Sequence, residues 1–578
     1  MKHVITACSL AAALILAAGC GTPASLDAEP GAMETTRAAR PGKITKKKLQ
    51  IVFLFGQSNM VGLAQVPTAW YMLQPPYVPP REICVRKTRY FDWNLYWSGL
   101  RTFKGPEEMK KKLDELYWER RHSRMKWRQR HRGVHGPWNE KEWGPKPKGG
   151  RSNMYPFLDR KAEEEGIYRR IAEILDSPLN EFPVEKLYEE MTCREAEIAD
   201  DVRTARAIYL DGTTAEAFDV FDEAVAEAKI NPRATGEDAP DARAAYARLA
   251  AKHLNMPIAT RTYIRAHGHV AGVQSDTENA KNQKNASGIL SVGYGGGVTT
   301  IGPEYGVGIT LERLVDAPVL LVKCSWGNTA LGGAWRPPTV DGVETPLEKA
   351  TREAWNASEA ERAKKEGRAF QPRPAPAPTG TLSYCWGMTL PILDDVLANP
   401  GAYHPEYDPA VGYECAGLVW FQGYSDSNNE AYGELLVEMI EYFREKVKTP
   451  DMPVVCGTLG MNTWKHMVFS GDVNGGMVHA SQAPGLKGTV DVVNTARFNP
   501  VELGMIGPVK KEYDKESEEY KTADVIGRRA ISNKGFHYHG SAKFFILAGD
   551  AMARSLANLM AGGEPFVDEE VRKWRSEK

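Results

Sequence analysis

The chain is 578 residues long, 42% hydrophobic and 25% charged, which is globular composition on a scale that calls for more than one structural unit and excludes a mostly disordered chain. Lys plus Arg number 73 against 74 Asp plus Glu, so no strong net field marks a dedicated nucleic-acid binder and no nucleic-acid partner is expected. No apolar run reaches the roughly 18 to 20 residues of a bilayer-spanning helix.

In chain order, Lys2 and His3 precede an apolar stretch, Val4 to Ala18, that ends in Gly19-Cys20-Gly21. A short basic start, an apolar segment of that length and small residues at its end read as a secretory leader over 1–20. The small residues before Cys20 resemble a bacterial lipoprotein processing site. That implies an exported chain, periplasmic or surface-held, tethered to a membrane by lipid on Cys20. Residues 21–48 then read as a flexible spacer. The eight cysteines, at 8, 20, 84, 193, 324, 385, 415 and 456, include no tight metal-binding spacing, and Cys324, Cys415 and Cys456 sit in apolar runs as buried small hydrophobes.

Short β-branched runs recur, each leading into a loop: Leu49–Phe55, Ala317–Cys324, Cys415–Phe421, Pro453–Cys456 and Thr489–Asn494. Nearly continuous apolar strands of this kind belong to parallel sheets buried on both faces. The amphipathic patterns over Met388–Ala398, Asn429–Val447 and Ser541–Met560 supply helices between and after them. The expected fold is therefore α/β, a doubly wound parallel sheet flanked by helices, with its site at the carboxyl ends of the strands. Between the first two runs the chain is rich in Ala, Glu, Lys and Arg with helical periodicity, and 67–285 is expected to be a helical insertion. Within it, Arg101–Gly133 carries twelve Lys/Arg against five Asp/Glu, a solvated helix face in preference to a cradle for an anionic polysaccharide. His267-x-His269 lacks a third ligand at suitable spacing, so no metal is expected, and the absence of a phosphate-binding glycine fingerprint leaves no cofactor expected either.

The chemistry is concentrated just after the first strand, at Gly56-Gln57-Ser58-Asn59-Met60. A serine on a tight strand-to-helix turn presents its hydroxyl at the sheet edge, beside backbone amides able to stabilise an oxyanion. This string resembles the first block of the SGNH (GDSL) hydrolases, in the branch of sialate O-acetylesterases and acetylxylan esterases. Further blocks follow in order: Lys323–Trp326 before Gly327-Asn328-Thr329, then Trp420-Phe421-Gln422-Gly423-Tyr424-Ser425-Asp426, then Phe536-His537-Tyr538-His539-Gly540-Ser541 ahead of the last helix. The resemblance spans about 49–66 and 286–562, with 563–578 left as a tail, and it departs from the family at Phe421 and Tyr424.

The resemblance implies an SGNH-type sheet and a serine esterase acting on acetylated oligo- or polysaccharide. Ser58 would be the nucleophile and His537 the base, with His539 the other candidate. The oxyanion donors would be the amides of Ser58 and Gly327 and the side-chain amide of Gln422. Gln57, Asn328 and Trp420 are expected to line the substrate, and Trp326, Trp335 and Tyr424 share that reading with plain core packing. The family's Asp, three residues before the His, is here Lys534, with Asn533 beside it. That leaves three arrangements: a Ser–His dyad, a carboxylate from elsewhere such as Asp426 or Glu304, or a carbohydrate-binding surface protein that keeps the fold and has lost the reaction.

Overall fold

The structure, a computed structural model, describes residues 44–83, 196–234, 236–269, 284–341, 346–367, 378–426, 431–460 and 473–565, with a few isolated positions besides. The expected leader, Cys20, residues 21–43 of the spacer, nearly all of the basic stretch 101–133 and most of the tail lie outside the described residues. Seven strands form one sheet: β1 (Leu49–Gly56), β2 (Thr262–His269), β3 (Lys284–Ile289), β4 (Val319–Trp326), β5 (Tyr413–Phe421), β6 (Val454–Gly457) and β7 (Val490–Val493). Their order is β7-β6-β5-β1-β4-β2-β3, parallel throughout except for the antiparallel edge pair β2–β3.

Every residue of β1 and β4 is buried, as their nearly continuous apolar sequences require of strands covered on both faces. Side chains alternate between the two covers. Phe53 and Phe55 meet Phe443 of one cover, with ring centroids 5.0 and 4.9 Å away, and Phe55 also meets Trp335 and Trp386 there. Lys323 on β4 turns to the opposite cover. The helices, in chain order, are α1 (Ser58–Val61), α2 (Ala199–Tyr209), α3 (Ala217–Glu227), α4 (Asp238–Leu254), α5 (Pro303–Leu314), α6 (Pro346–Glu366), α7 (Tyr384–Ala398), α8 (Tyr432–Lys446), α9 (Asn474–Gln482), α10 (Ile506–Glu512), α11 (Glu518–Ala530) and α12 (Ala542–Met560). Helices α5 and α12 approach backbone to backbone at a crossing of two glycines. A Cβ on Gly306 would lie 2.6 Å from the Ile546 carbonyl oxygen, and one on Gly549 would lie 2.5 Å from that of Pro303.

The span 67–285, expected to be a mainly helical insertion outside the sheet, also supplies strand to it. Its described part does contain α2, α3 and α4, but Thr262–His269 is the sheet strand β2 and Lys284–Ile289, at its far boundary, is β3. The physical reason lies in the alternation Thr262, Ile264, Ala266, Gly268, whose members are buried while Tyr263, Arg265 and His267 are half-buried. That is a period of two, carried by small and polar residues that composition alone assigns to a helix or loop. The helices pack into the same core: Tyr209, Phe218 and Phe221 join it, and the Tyr209 hydroxyl donates to the Gly306 carbonyl at 3.0 Å.

Candidate functional site

Strands β1, β4 and β5 end level with one another. Gly56 stands opposite Ser325 on one side and Phe421 on the other, so the three loops that follow converge on one edge. A side chain at Gly56 would place its Cβ 2.2 Å from the Phe421 carbonyl oxygen, so only glycine allows the chain to turn there. Gln57 caps the turn in an extended conformation and Ser58 opens α1, 8% exposed. The Ser58 amide, at the first helical position, has no carbonyl within its own helix to receive it.

Gln57 is buried, and its side-chain oxygen is taken by the protein. Its Oε1 accepts from the amides of Gly423 at 3.2 Å and Ser425 at 3.4 Å, which clamps the serine turn to the loop after β5. Gln422 is fully buried. Its Nε2 lies 2.8 Å from the Thr329 carbonyl oxygen, 2.7 Å from Asp426 Oδ2 and 3.3 Å from Gln57 Oε1, so its two protons are taken by the protein and none faces a ligand. Asp426 accepts besides from the amides of Leu331 at 2.6 Å and Gly332 at 3.1 Å and from Asn429 Nδ2 at 3.0 Å. Burial raises its pKa, and those hydrogen bonds oppose the rise. It ties the loop after β4 to the loop after β5 and touches no histidine.

Glu304 is equally remote from acid–base work. It pairs with Lys323 at 2.7 Å, both buried, and its other oxygen accepts from the Gly302 amide at 2.8 Å. Lys323 Nζ also donates to the carbonyls of Val61 and Tyr294, each at 2.9 Å, so all three protons are placed and the last turn of α1 is held from below. Burial pulls the Lys323 pKa down and Glu304 opposes that. Trp326, Trp335 and Trp420 are core residues: all are fully buried, and the Trp420 indole donates to the Tyr432 hydroxyl at 3.0 Å. Of the residues expected to line substrate, Asn328 is exposed, at φ 58°, next to Gly327 at the end of β4.

The histidine loop, Gly535–Gly540, arrives from the far end of the chain. Asn59 Nδ2 donates to the Phe536 carbonyl at 3.4 Å, joining the residue after Ser58 to the residue before His537 across 477 positions. Tyr538 and His539 are both left-handed, with φ 51° and 59°, and Gly540 follows at 61°. Such a run is costly for side-chain-bearing residues and persists only where the surroundings fix it. Here Tyr538 is wholly buried, its hydroxyl accepts from the Gly460 amide at 3.0 Å, and the Ser532 and Asn533 amides donate to the His539 carbonyl at 2.9 and 3.0 Å.

His537 Nδ1 lies 2.9 Å from Asn533 Oδ1. Burial lowers the pKa of both His537 and His539 to about 4, so both rings are neutral at pH 7. Among the described residues no hydrogen bond joins Ser58 to either ring. Above the loop, Tyr424 and Phe536 are 42% and 41% exposed and stack with centroids 6.3 Å apart, while Phe536 meets the His537 ring edge-on at 4.5 Å. Sequence reading gave no role to Asn533 or Phe536: Phe536 opens the last block and Asn533 stands beside Lys534, and neither position by itself shows what its side chain meets.

Residues 405–502 match the family described as carbohydrate esterase, sialic acid-specific acetylesterase; the segment holds β5, β6, β7, Gln422 and Asp426, and neither Ser58 nor His537. No curated protein matches the chain. Among solved structures, a protein from Arabidopsis thaliana is similar at 13% identity and a TM-score of 0.20, over 41% of this chain and 70% of its own. A carbohydrate acetylesterase from Xanthomonas citri is similar at 12% identity and a TM-score of 0.21, over 49% of this chain and 53% of its own. Over residues 405–502, the chain is similar to the carbohydrate esterases of the sialic acid-specific acetylesterase family.

Proposed function

We propose that the chain is a serine esterase that removes O-acetyl groups from a carbohydrate through an acetyl-serine intermediate. The observation that carries this reading is the Asn59–Phe536 hydrogen bond, which brings the Ser58 turn and the His537 loop to one edge of the sheet. In the reaction, Ser58 Oγ attacks the acetyl carbonyl carbon while the neutral His537 ring takes the hydroxyl proton. The amides of Ser58 and Gly327 stand where negative charge develops on the carbonyl oxygen. The C–O bond to the sugar breaks and His537 returns the proton to the leaving sugar hydroxyl. Water, deprotonated by the same ring, then attacks the acetyl-serine, and acetate leaves as Ser58 regains its proton. The exposed Tyr424–Phe536 pair offers apolar ring faces to a pyranose beside the scissile ester. Export and a lipid tether at Cys20 belong to the same proposal.

The test is acetate release from a small aryl acetate and from acetylated xylan and sialic acid, by a chain lacking residues 1–20 and by its Ser58→Ala variant. Loss of turnover by orders of magnitude in a folded Ser58→Ala protein supports the esterase. One observation favours a second reading, a carbohydrate-binding protein without the reaction: no hydrogen bond joins Ser58 to His537. That reading predicts glycan binding unchanged by Ser58→Ala and no acetate released by either protein.

A further inference from the structure

We infer that Asn533 is the third member of the Ser58–His537 arrangement, a positioning residue whose side-chain oxygen holds the proton of His537 on Nδ1 and leaves Nε2 as the basic nitrogen. The inference rests on the esterase reading and adds to it the device that replaces the absent acid.

Two hydrogen bonds converge on one atom. The Lys534 backbone amide lies 2.8 Å from Asn533 Oδ1, and His537 Nδ1 lies 2.9 Å from the same atom. A backbone N–H only donates, so the atom it meets is the amide oxygen and not the amide nitrogen. The ring nitrogen facing that oxygen is therefore a donor, which fixes the tautomer. This is the orientation that an Asp-to-Asn exchange in a serine triad fails to give: there the amide enforces the wrong tautomer and turnover falls by about 10⁴. Here Lys534 contributes through its backbone, locking the neighbouring amide the right way round.

The loop explains why the acceptor sits four residues before the histidine. The amides of His537 and His539 both donate to the Lys534 carbonyl, at 2.9 and 3.1 Å, and the left-handed Tyr538 and His539 double the chain back so that its own start lies against the ring. No carboxylate competes for the role. Glu304 is held by Lys323, Asp426 by Leu331, Gly332, Gln422 and Asn429, and the Lys534 side chain is exposed. The low pKa of His537 has burial as its cause, with no charged neighbour acting on the ring. A neutral third member lends the imidazolium none of a carboxylate's charge stabilisation, so the base stays deprotonated well into acid.

The experiment compares the full chain with Asn533→Leu and Asn533→Asp by two readouts: the His537 ring tautomer at pH 7, from nitrogen–proton correlation spectra, and the pH profile of aryl acetate hydrolysis. The wild type is expected to show the Nδ1–H form. Asn533→Leu should lose that preference and roughly 100-fold or more in kcat/KM, the lower end of what a positioned general base contributes. Asn533→Asp should keep the tautomer and activity while moving the acidic limb of the profile to higher pH, because a carboxylate favours the charged ring. An Nε2–H ring in the wild type, or an Asn533→Leu protein with unchanged tautomer and rate, overturns the inference. A wild type that hydrolyses no ester defeats the esterase reading alone; the tautomer spectra then still decide whether Asn533 sets the ring.

Discussion

Gln422 reads in sequence as a donor to the reacting oxygen and stands in the structure as a buried strut. Both its protons face protein acceptors, Thr329 and Asp426. Its removal is therefore expected to act first on stability: Gln422→Ala leaves buried acceptors short of a donor and should lower the unfolding free energy by about 1–3 kcal/mol, measured by urea denaturation. Motif reading finds the residue type that chemistry needs, but which neighbour takes its proton is a matter of distances that no string of letters holds. The same gap hid Asn533, whose function depends on Lys534 offering a backbone amide. The two buried histidines carry a pH consequence. In the unfolded chain their pKa is about 6.5; folding lowers both to about 4, so the unfolded state binds more protons between those values. Stability contributed by the neutral rings is present above pH 6.5 and is lost as pH falls towards 4. Melting temperatures measured from pH 7 to 4.5 should fall, and less steeply in a His539→Gln protein.

At the level of elements, the sheet strands were legible where both faces are buried, because β1, β4 and β5 are nearly unbroken apolar runs. Strand β2 was not, since a strand at the sheet's margin can be built from Thr, Ala and Gly with Arg and His between them. The Lys323–Glu304 pair joins two elements that the sequence separates into a strand and a helix start, and it supports the α1 turn through Val61. Glu304→Gln leaves a buried ammonium without its counter-charge and should cost about 3–5 kcal/mol of stability. Turnover per folded molecule is expected to stay near wild type, which acetate release normalised to the folded fraction measures; a collapse of turnover in the folded protein would return Glu304 to the chemistry. The Tyr424–Phe536 stack joins the β5 loop to the histidine loop at the surface. Tyr424→Ala and Phe536→Ala should raise KM for an acetylated sugar several-fold while leaving aryl acetate kcat/KM within about two-fold, a split visible in parallel kinetics, since packing against an aromatic face is a binding term of order 1 kcal/mol.

For the molecule as a whole, the family resemblance located the loops that meet and the order in which they meet. It left the span 67–285 without a guide, and there the sheet takes two more strands and the core takes Tyr209, Phe218 and Phe221. Recruiting such distant sequence into one core is a global property, invisible to windows of ten or twenty residues. It also makes the fold strongly non-local, a feature that slows folding.

The position of β1 has a bearing on how the protein is made. Among the described strands of the sheet it comes first in the chain and stands in the middle of the finished sheet, yet its two neighbours are Val319–Trp326 and Tyr413–Phe421. At about 5–20 residues per second, both its edges and an almost wholly apolar surface stay open for tens of seconds while the partners are still being translated. Anything that shields an extended apolar strand during that interval, whether a holding chaperone or the chain's own early helices, sets the yield of folded protein, and Ser58 cannot meet His537 until the chain between them has been made.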